Sequence, residues 1–330
     1  MDRLTTAARF EGWIPIRVFW RDGVPWVDWC YLGQARFTAP FFRDSINEAL
    51  RLPFNQAFRR ETPIEVLAEL RDTRPALQPT AFIYHASRCG STLASQMLAA
   101  LDSHIAISEP PMLDTLLRAR IEATSIDEGA QVEWIRGLLA ALGQPRNGEK
   151  AFVVKLDAWN IFDLALMRKA FPETPWIYLY RDPLEIAESQ MRERGRYMIP
   201  GMLGAVEDVI GPDAGPGIGA EEFVARLVGR MLEAGHAGCR DHGGIALHYD
   251  RLPQALWTTL RERLGIADDP GTLETLRTVA QRDAKHPQIE FTADSRDRRA
   301  QASGELRALV DRWAMPAYQA LEHIRSSRSP

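Results

Sequence analysis

From residue 81 onward, short runs of consecutive apolar residues alternate with stretches in which apolar positions recur every three or four residues. The runs Ala81–His85, Ile105–Ile107, Ala151–Leu156, Trp176–Tyr180 and Ile245–Tyr249 have strand length and predict five β-strands. Between them Leu93, Met97, Leu98 and Leu101, and later Phe223, Leu227 and Met231, recur at helical spacing. Strands separated by helices pair in parallel through crossovers, and strands apolar on both faces need cover on both. The pattern predicts a parallel sheet flanked by helices.

The first 75 residues have a different character. Four of the nine Trp (Trp13, Trp20, Trp26, Trp29) and seven of the thirteen Phe fall before residue 60, around Arg21-Asp22-Gly23. Asp-Gly supplies the positive φ angles of a tight turn, so β-rich runs on either side predict a hairpin. Thr62, Pro63 and Glu65 read as the N-cap, first position and capping-box partner of a short helix. Residues 1–75 are therefore expected to form a small hairpin and helix lobe packed on a main domain, 76–330. Within that domain Pro200 to Gly219 is rich in Gly and Pro and reads as an irregular loop.

Composition narrows the class. The chain is 45% hydrophobic and 25% charged, and 40 Lys+Arg against 44 Asp+Glu leave a net charge of −4. These values fit a globular protein and argue against a disordered or nucleic-acid-coating one. No apolar run approaches the roughly 18 residues that cross a bilayer, and Met1-Asp2-Arg3-Leu4 lacks a signal-peptide layout, so a cytoplasmic protein is expected. Cys30, Cys89 and Cys239 form no CxxC pair, and the seven His show no ligand spacing. Neither a disulfide framework nor a metal site is expected.

The segment Phe82-Ile83-Tyr84-His85-Ala86-Ser87-Arg88-Cys89-Gly90-Ser91-Thr92-Leu93 carries candidate chemistry. A β-run enters a short loop and a helix begins at once, which directs unpaired N–H groups and a helix dipole at one point, a layout suited to a tetrahedral oxyanion. Gly90 permits close backbone approach, Ser91 and Thr92 add hydroxyls, and Arg88 brings a permanent charge. A nucleoside-triphosphate loop reading GxxxxGK[ST] would put its first Gly at His85 and its Lys at Ser91, so that motif is absent.

This segment resembles the sulfotransferases that use 3′-phosphoadenosine 5′-phosphosulfate (PAPS). Their loop for the donor's 5′-phosphosulfate reads Lys/Arg-x-Gly-Ser/Thr-Ser/Thr after the first strand, as in Arg88-Cys89-Gly90-Ser91-Thr92. The Arg form looks most like the carbohydrate and tyrosylprotein branches. A second segment, Trp176 to Ser189, ends an apolar strand at Arg181 and opens a helix with Asp182 as N-cap, Pro183 at the first position and Glu185 beyond it. Similar sulfotransferases hold the donor's 3′-phosphate with an Arg at this strand end and a Ser eight residues later, matched by Arg181 and Ser189. His248-Tyr249-Asp250-Arg251-Leu252 resembles a further stretch of the family. The resemblance covers about residues 80–265.

Sulfuryl transfer to an alcohol needs a base. Glu109 follows the run Ile105–Ile107 and stands 21 residues after Arg88, similar to the interval to the catalytic Glu in the carbohydrate and tyrosylprotein branches. Lys155 and Asp157 end another strand. In the cytosolic branch a Lys-x-His occupies a similar place with His as base, so Asp157 is a second candidate, and Lys155 is placed to steady the sulfonate or the leaving oxygen. The cytosolic GxxGxxK element is absent; Lys285, Arg296, Arg298 and Arg299 form a basic stretch that could replace it.

The expected fold is an α/β protein with a P-loop-like parallel sheet, an aromatic N-terminal lobe and a helical C-terminal region. The expected activity is sulfuryl transfer from PAPS to a hydroxyl of a small-molecule or carbohydrate acceptor, releasing adenosine 3′,5′-bisphosphate without a metal. Two alternatives stay open: a nucleotide-dependent kinase or NTPase, and a non-catalytic nucleotide-binding protein. Oligomeric state and acceptor are not legible.

Overall fold

The structure, a computed structural model, describes residues 9–122, 126–215, 217–283, 299 and 301–328. Its strands are β1 (Trp13–Arg21), β2 (Val24–Tyr31), β3 (Arg60–Pro63), β4 (Ala81–His85), β5 (His104–Ser108), β6 (Ala151–Lys155), β7 (Trp176–Tyr180) and β8 (Ile245–His248). The helices that matter below are α1 (Val66–Thr73), α2 (Ser91–Ala99), α3 (Pro111–Leu117), α4 (Glu128–Leu142), α5 (Leu164–Ala170), α6 (Pro183–Arg192), α7 (Ala220–His242), α8 (Gly304–Trp313) and α9 (Met315–Arg328). The five predicted strands form one parallel sheet in the order β5-β6-β4-β7-β8, and β1-β2-β3 form a separate antiparallel sheet. The protein is thus a mixed α/β fold with a helix-flanked parallel sheet and a helical C-terminal region. Among the described residues no helix is long and apolar enough to cross a membrane.

The chain divides into two compact units. Among the described residues the first holds 9–83, 92–122, 126–175 and 253–283. Its antiparallel sheet begins with the predicted hairpin: Arg21 pairs with Val24 across Asp22 and Gly23, whose φ angles are 52° and 77°. The helix start expected at Thr62 does not form: residues 60–63 pair with Trp26–Trp29 as strand β3, and Thr62 Oγ1 accepts a hydrogen bond from Trp29 Nε1 (2.9 Å). Strand pairing takes the segment that the local Thr-Pro-x-Glu pattern would have put in a helix, and α1 starts only at Val66 with no side-chain cap. β1 packs on α3 and α4, burying Trp13, Ile14 and Val18. In the parallel strands of this unit, β5 and β6 are buried at every position.

The second unit holds 84–91, 176–252, 299 and 301–328 among the described residues. β7 and β8 pair in parallel from Ile177 with Ile245 to Tyr180 with His248. Tyr249 does not extend β8 but opens a short 3₁₀ turn, Tyr249–Arg251. α7 packs against α6, α8 and α9, burying Phe223, Leu227 and Met231 as the helical spacing predicts. α6 begins as its sequence indicates: Pro183 is at its first position and the Asp182 carboxylate accepts from the N–H groups of Leu184 (3.0 Å) and Glu185 (3.2 Å). The Gly- and Pro-rich stretch contains a short helix, Val206–Ile210.

Candidate functional site

β4 is an unbroken apolar run, buried at all five positions, and it delivers the chain into Ala86-Ser87-Arg88-Cys89-Gly90 just before α2 opens. Ser87, Arg88 and Gly90 all have left-handed backbone, with φ of 67°, 48° and 83°. The conformation costs a non-Gly residue on the order of 1–2 kcal/mol, so contacts must hold Ser87 and Arg88 there. At Gly90 a side chain has no space either, because a Cβ would lie 2.9 Å from both Tyr249 Cδ2 and Leu252 Cδ1. The buried Cys89 thiol donates to the Leu179 carbonyl (3.2 Å), which also accepts from Ala86 N (2.9 Å). Those bonds fasten the loop to β7, and with its thiol so engaged Cys89 has only its backbone for a ligand. Ser91, which is buried, and Thr92 open α2, where unpaired helical N–H groups favour an anion.

Arg88 donates to the carbonyl of Glu193 (2.6 Å) and to its Oε2 (3.2 Å). Arg181, the residue after β7, is buried. Its Nε donates to Glu185 Oε2 (2.5 Å), its Nη1 donates to the Arg88 carbonyl (3.4 Å), and its guanidinium lies 4.3 Å from the centre of the Tyr249 ring. Arg299 shares Glu185, donating to its Oε1 (2.8 Å), and also donates to Asp182 Oδ2 (2.7 Å). Three guanidinium groups thus meet three carboxylates within the second unit. Ser189 is buried two turns along α6, and its hydroxyl has no hydrogen-bond partner among the described residues. Lys285, Arg296 and Arg298 lie outside the described residues.

In the first unit, the ends of β5 and β6 bring Glu109, Lys155 and Asp157 together. Glu109 has φ 54° and donates its backbone N–H to the Lys155 carbonyl (2.8 Å). The Lys155 side chain is only 1% exposed; its ammonium pairs with Glu109, donates to Ser108 Oγ (3.3 Å) and lies 5.4 Å from the Phe41 ring centre. A buried ammonium without a counter-charge would be costly, so Glu109 is what permits Lys155 in that position. Asp157 caps the 3₁₀ turn Ala158–Asp163 in a reciprocal box with Asn160. Burial first, then the carboxylates of Glu109 and Asp114, push the Asp157 carboxyl well above its ordinary range, against Lys155 and Arg43. Asp163 rises to about 7 through burial and Asp114, against Arg118. Asp114 Oδ1 accepts from Trp159 Nε1 (2.6 Å) and Asn160 Nδ2 (2.8 Å).

Asp114 and Asp163 escaped the sequence reading, as did Gln190, Glu193 and Tyr197 in the second unit, while Glu185 was read only as part of the helix start and not as the partner of Arg181 and Arg299. The one available signal for Asp114 is its polarity among Met112, Leu113, Leu116 and Leu117, all buried on α3. Chemically, the first cluster pairs a buried cation with carboxylates whose proton affinity burial and acidic neighbours raise. The second offers guanidinium, hydroxyl and backbone donors to an anion.

No family model and no curated protein matches the chain. Among solved structures, it is similar to the sulfotransferase domain from the curacin biosynthetic pathway (18% identity, 77% of this chain and 98% of that one, TM-score 0.43). It is also similar to the sulfotransferase domain from the Synechococcus PCC 7002 olefin synthase (16% identity, 78% and 98%, TM-score 0.43). A third similar structure is the sulfotransferase STF9 from Mycobacterium avium (13% identity, 73% and 77%, TM-score 0.44).

Proposed function

We propose that the protein transfers a sulfuryl group from PAPS to a hydroxyl of a small-molecule or carbohydrate acceptor. The observation that carries this reading is the 3.4 Å approach of Arg181 Nη1 to the carbonyl of Arg88, which makes the two anion-suited strand ends neighbours within the second unit. Adjoining anion sites suit a nucleotide with phosphate groups on both the 3′ and 5′ positions, and ATP has none at the 3′ position. In this reading Arg88, Ser91, Thr92 and the backbone of Cys89 and Gly90 hold the 5′-phosphosulfate, and Arg181 and Ser189 hold the 3′-phosphate. Arginine, lysine and backbone donors supply the positive charge, so the reading calls for no metal. The Arg-type loop and the interval from Arg88 to Glu109 support a relationship to the carbohydrate and tyrosylprotein branches, and the Glu109-Pro110 pair resembles the carbohydrate branch.

The reaction is an in-line displacement: the acceptor oxygen bonds to sulfur, the bond from sulfur to the bridging phosphate oxygen breaks, and adenosine 3′,5′-bisphosphate leaves. The acceptor's proton passes to a carboxylate, for which Glu109 and Asp157 are the candidates. One oxygen of Glu109 is already engaged by Lys155, whereas burial and acidic neighbours raise the proton affinity of Asp157. That contrast favours Asp157 as the proton acceptor and Glu109 as the partner that fixes Lys155, whose ammonium steadies the sulfonate or the leaving oxygen.

Calorimetric titration tests the reading. Adenosine 3′,5′-bisphosphate is expected to bind and ATP with Mg²⁺ not to, and Arg181→Ala to weaken the bisphosphate about a hundredfold, as loss of a buried charged hydrogen-bond partner does. Preferential binding of ATP with Mg²⁺ would put the kinase or NTPase alternative first. Binding without sulfuryl transfer would leave a nucleotide-binding protein.

A further inference from the structure

The side chains of the left-handed pair Ser87 and Arg88 both bond to one stretch of chain, residues 190–197. Ser87 is buried, and its backbone N–H donates to His85 Nδ1 (3.1 Å). Its Oγ accepts from Gln190 Nε2 (2.8 Å) and from the Tyr197 hydroxyl. Gln190 Nε2 also donates to Tyr197 OH (2.9 Å), while Gln190 Oε1 accepts from Gly195 N (2.9 Å). The Gly195 bond fixes which way the amide faces, so both amide protons are committed to Ser87 and Tyr197. Arg88 is tied to Glu193 in the same stretch, by its carbonyl and its carboxylate.

We infer that Gln190 and Tyr197 are positioning residues which, through the Ser87 hydroxyl, hold the left-handed Ser87–Arg88 pair in the shape that receives the 5′-terminal phosphate group of the ligand. The inference rests on the proposed nucleotide reading. Nothing in it requires either side chain to touch the ligand. A non-glycine residue stays at φ 67° only if its surroundings over-determine it, and these two side chains, with His85, supply that constraint. Hydrogen-bonded chains in a buried setting reinforce one another, so the loss of one member loosens the rest.

The test compares adenosine 3′,5′-bisphosphate with adenosine 3′-monophosphate, which lacks the 5′ group, on the full chain and on Tyr197→Phe, Ser87→Ala and Ser87→Gly. Tyr197→Phe and Ser87→Ala are expected to weaken the bisphosphate about tenfold and to leave the monophosphate within about twofold. Ser87→Gly, for which the left-handed conformation carries no steric penalty, is expected to stay closer to the natural protein, and adding Tyr197→Phe to it to change nothing further. Equal losses for both nucleotides, or a Ser87→Gly loss as large as that of Ser87→Ala, would overturn the inference. Hydrogen exchange at the amides of residues 86–91 gives an arm that needs no nucleotide. Tyr197→Phe is expected to speed exchange there several-fold while β7 stays unchanged, and unchanged loop exchange overturns the inference by itself. Failure of the natural chain to bind either nucleotide removes the donor reading alone.

Discussion

The cluster at the ends of β5 and β6 and the loop ahead of α2 handle charge in opposite ways. In the first, a buried lysine is paired with an acid, and burial, reinforced by neighbouring carboxylates, raises the proton affinity of Asp157 and Asp163. In the second, Arg88, Arg181 and Arg299 are each satisfied by Glu193, Glu185 or Asp182. The acidic cluster stores protons, whereas the arginines gathered at the loop carry positive charge already matched by internal anions. In the proposed reading an incoming anion at the loop competes with carboxylates of the chain itself, which would favour ligands with more than one phosphate group. At the acidic cluster, by contrast, the controlling variable is pH.

Lys155→Met probes the contrast most severely. It leaves Glu109 without its cation, and the expected cost is about 3 kcal/mol of unfolding free energy, read by denaturant titration, with transfer activity falling more than a hundredfold. An active, equally stable variant would mean that the cluster does not depend on its buried charge. Gly90→Ala attacks the loop instead. Its left-handed φ and the Tyr249 and Leu252 contacts predict about 2 kcal/mol of destabilisation and roughly tenfold weaker nucleotide binding, checked by thermal melting and calorimetry.

A smaller effect separates the regions by pH. The Asp163 carboxyl titrates near 7 in the folded chain against an ordinary 3.8, so the folded form binds its proton more tightly than the unfolded one. The associated stabilisation is present below about pH 4 and is lost as pH rises through about 7. Melting curves at pH 5 and pH 8 should show this decline, and Asp163→Asn should flatten it; an unchanged slope would place the titration elsewhere. If Asp157 takes the acceptor's proton, the acid limb of kcat/KM should likewise lie above the ordinary carboxylate range and disappear in Asp157→Asn. Smallest of all is Asp182→Ala, which removes the cap of α6 and one Arg299 contact, for about 1 kcal/mol in the same denaturant titration.

Local signals were readable from sequence because their physics is local. Asp22-Gly23 set its turn, Asp182-Pro183 set the start of α6, and the continuous apolar runs of β4, β6 and β7 announced strands buried on both faces. Thr62 shows the limit: its neighbourhood satisfies a helix-start pattern, but pairing with Trp26–Trp29 prevails and its hydroxyl goes to the Trp29 indole. Glu109 and Lys155 were each singled out along the chain, yet their ion pair is a product of β5 lying beside β6. The bonds from Gln190 and Tyr197 to Ser87 span 103 and 110 residues, and no periodicity or short motif encodes a meeting over such a distance.

The bond from the Cys89 thiol to the Leu179 carbonyl has a practical consequence. An alkylating reagent can reach that sulfur only when the turn above it lifts away from β7, so the rate at which the Cys89 peptide gains mass is a clock for that opening. A tightly bound nucleotide should slow the clock, making a residue with no catalytic duty a reporter of occupancy in a mixture where turnover cannot be followed.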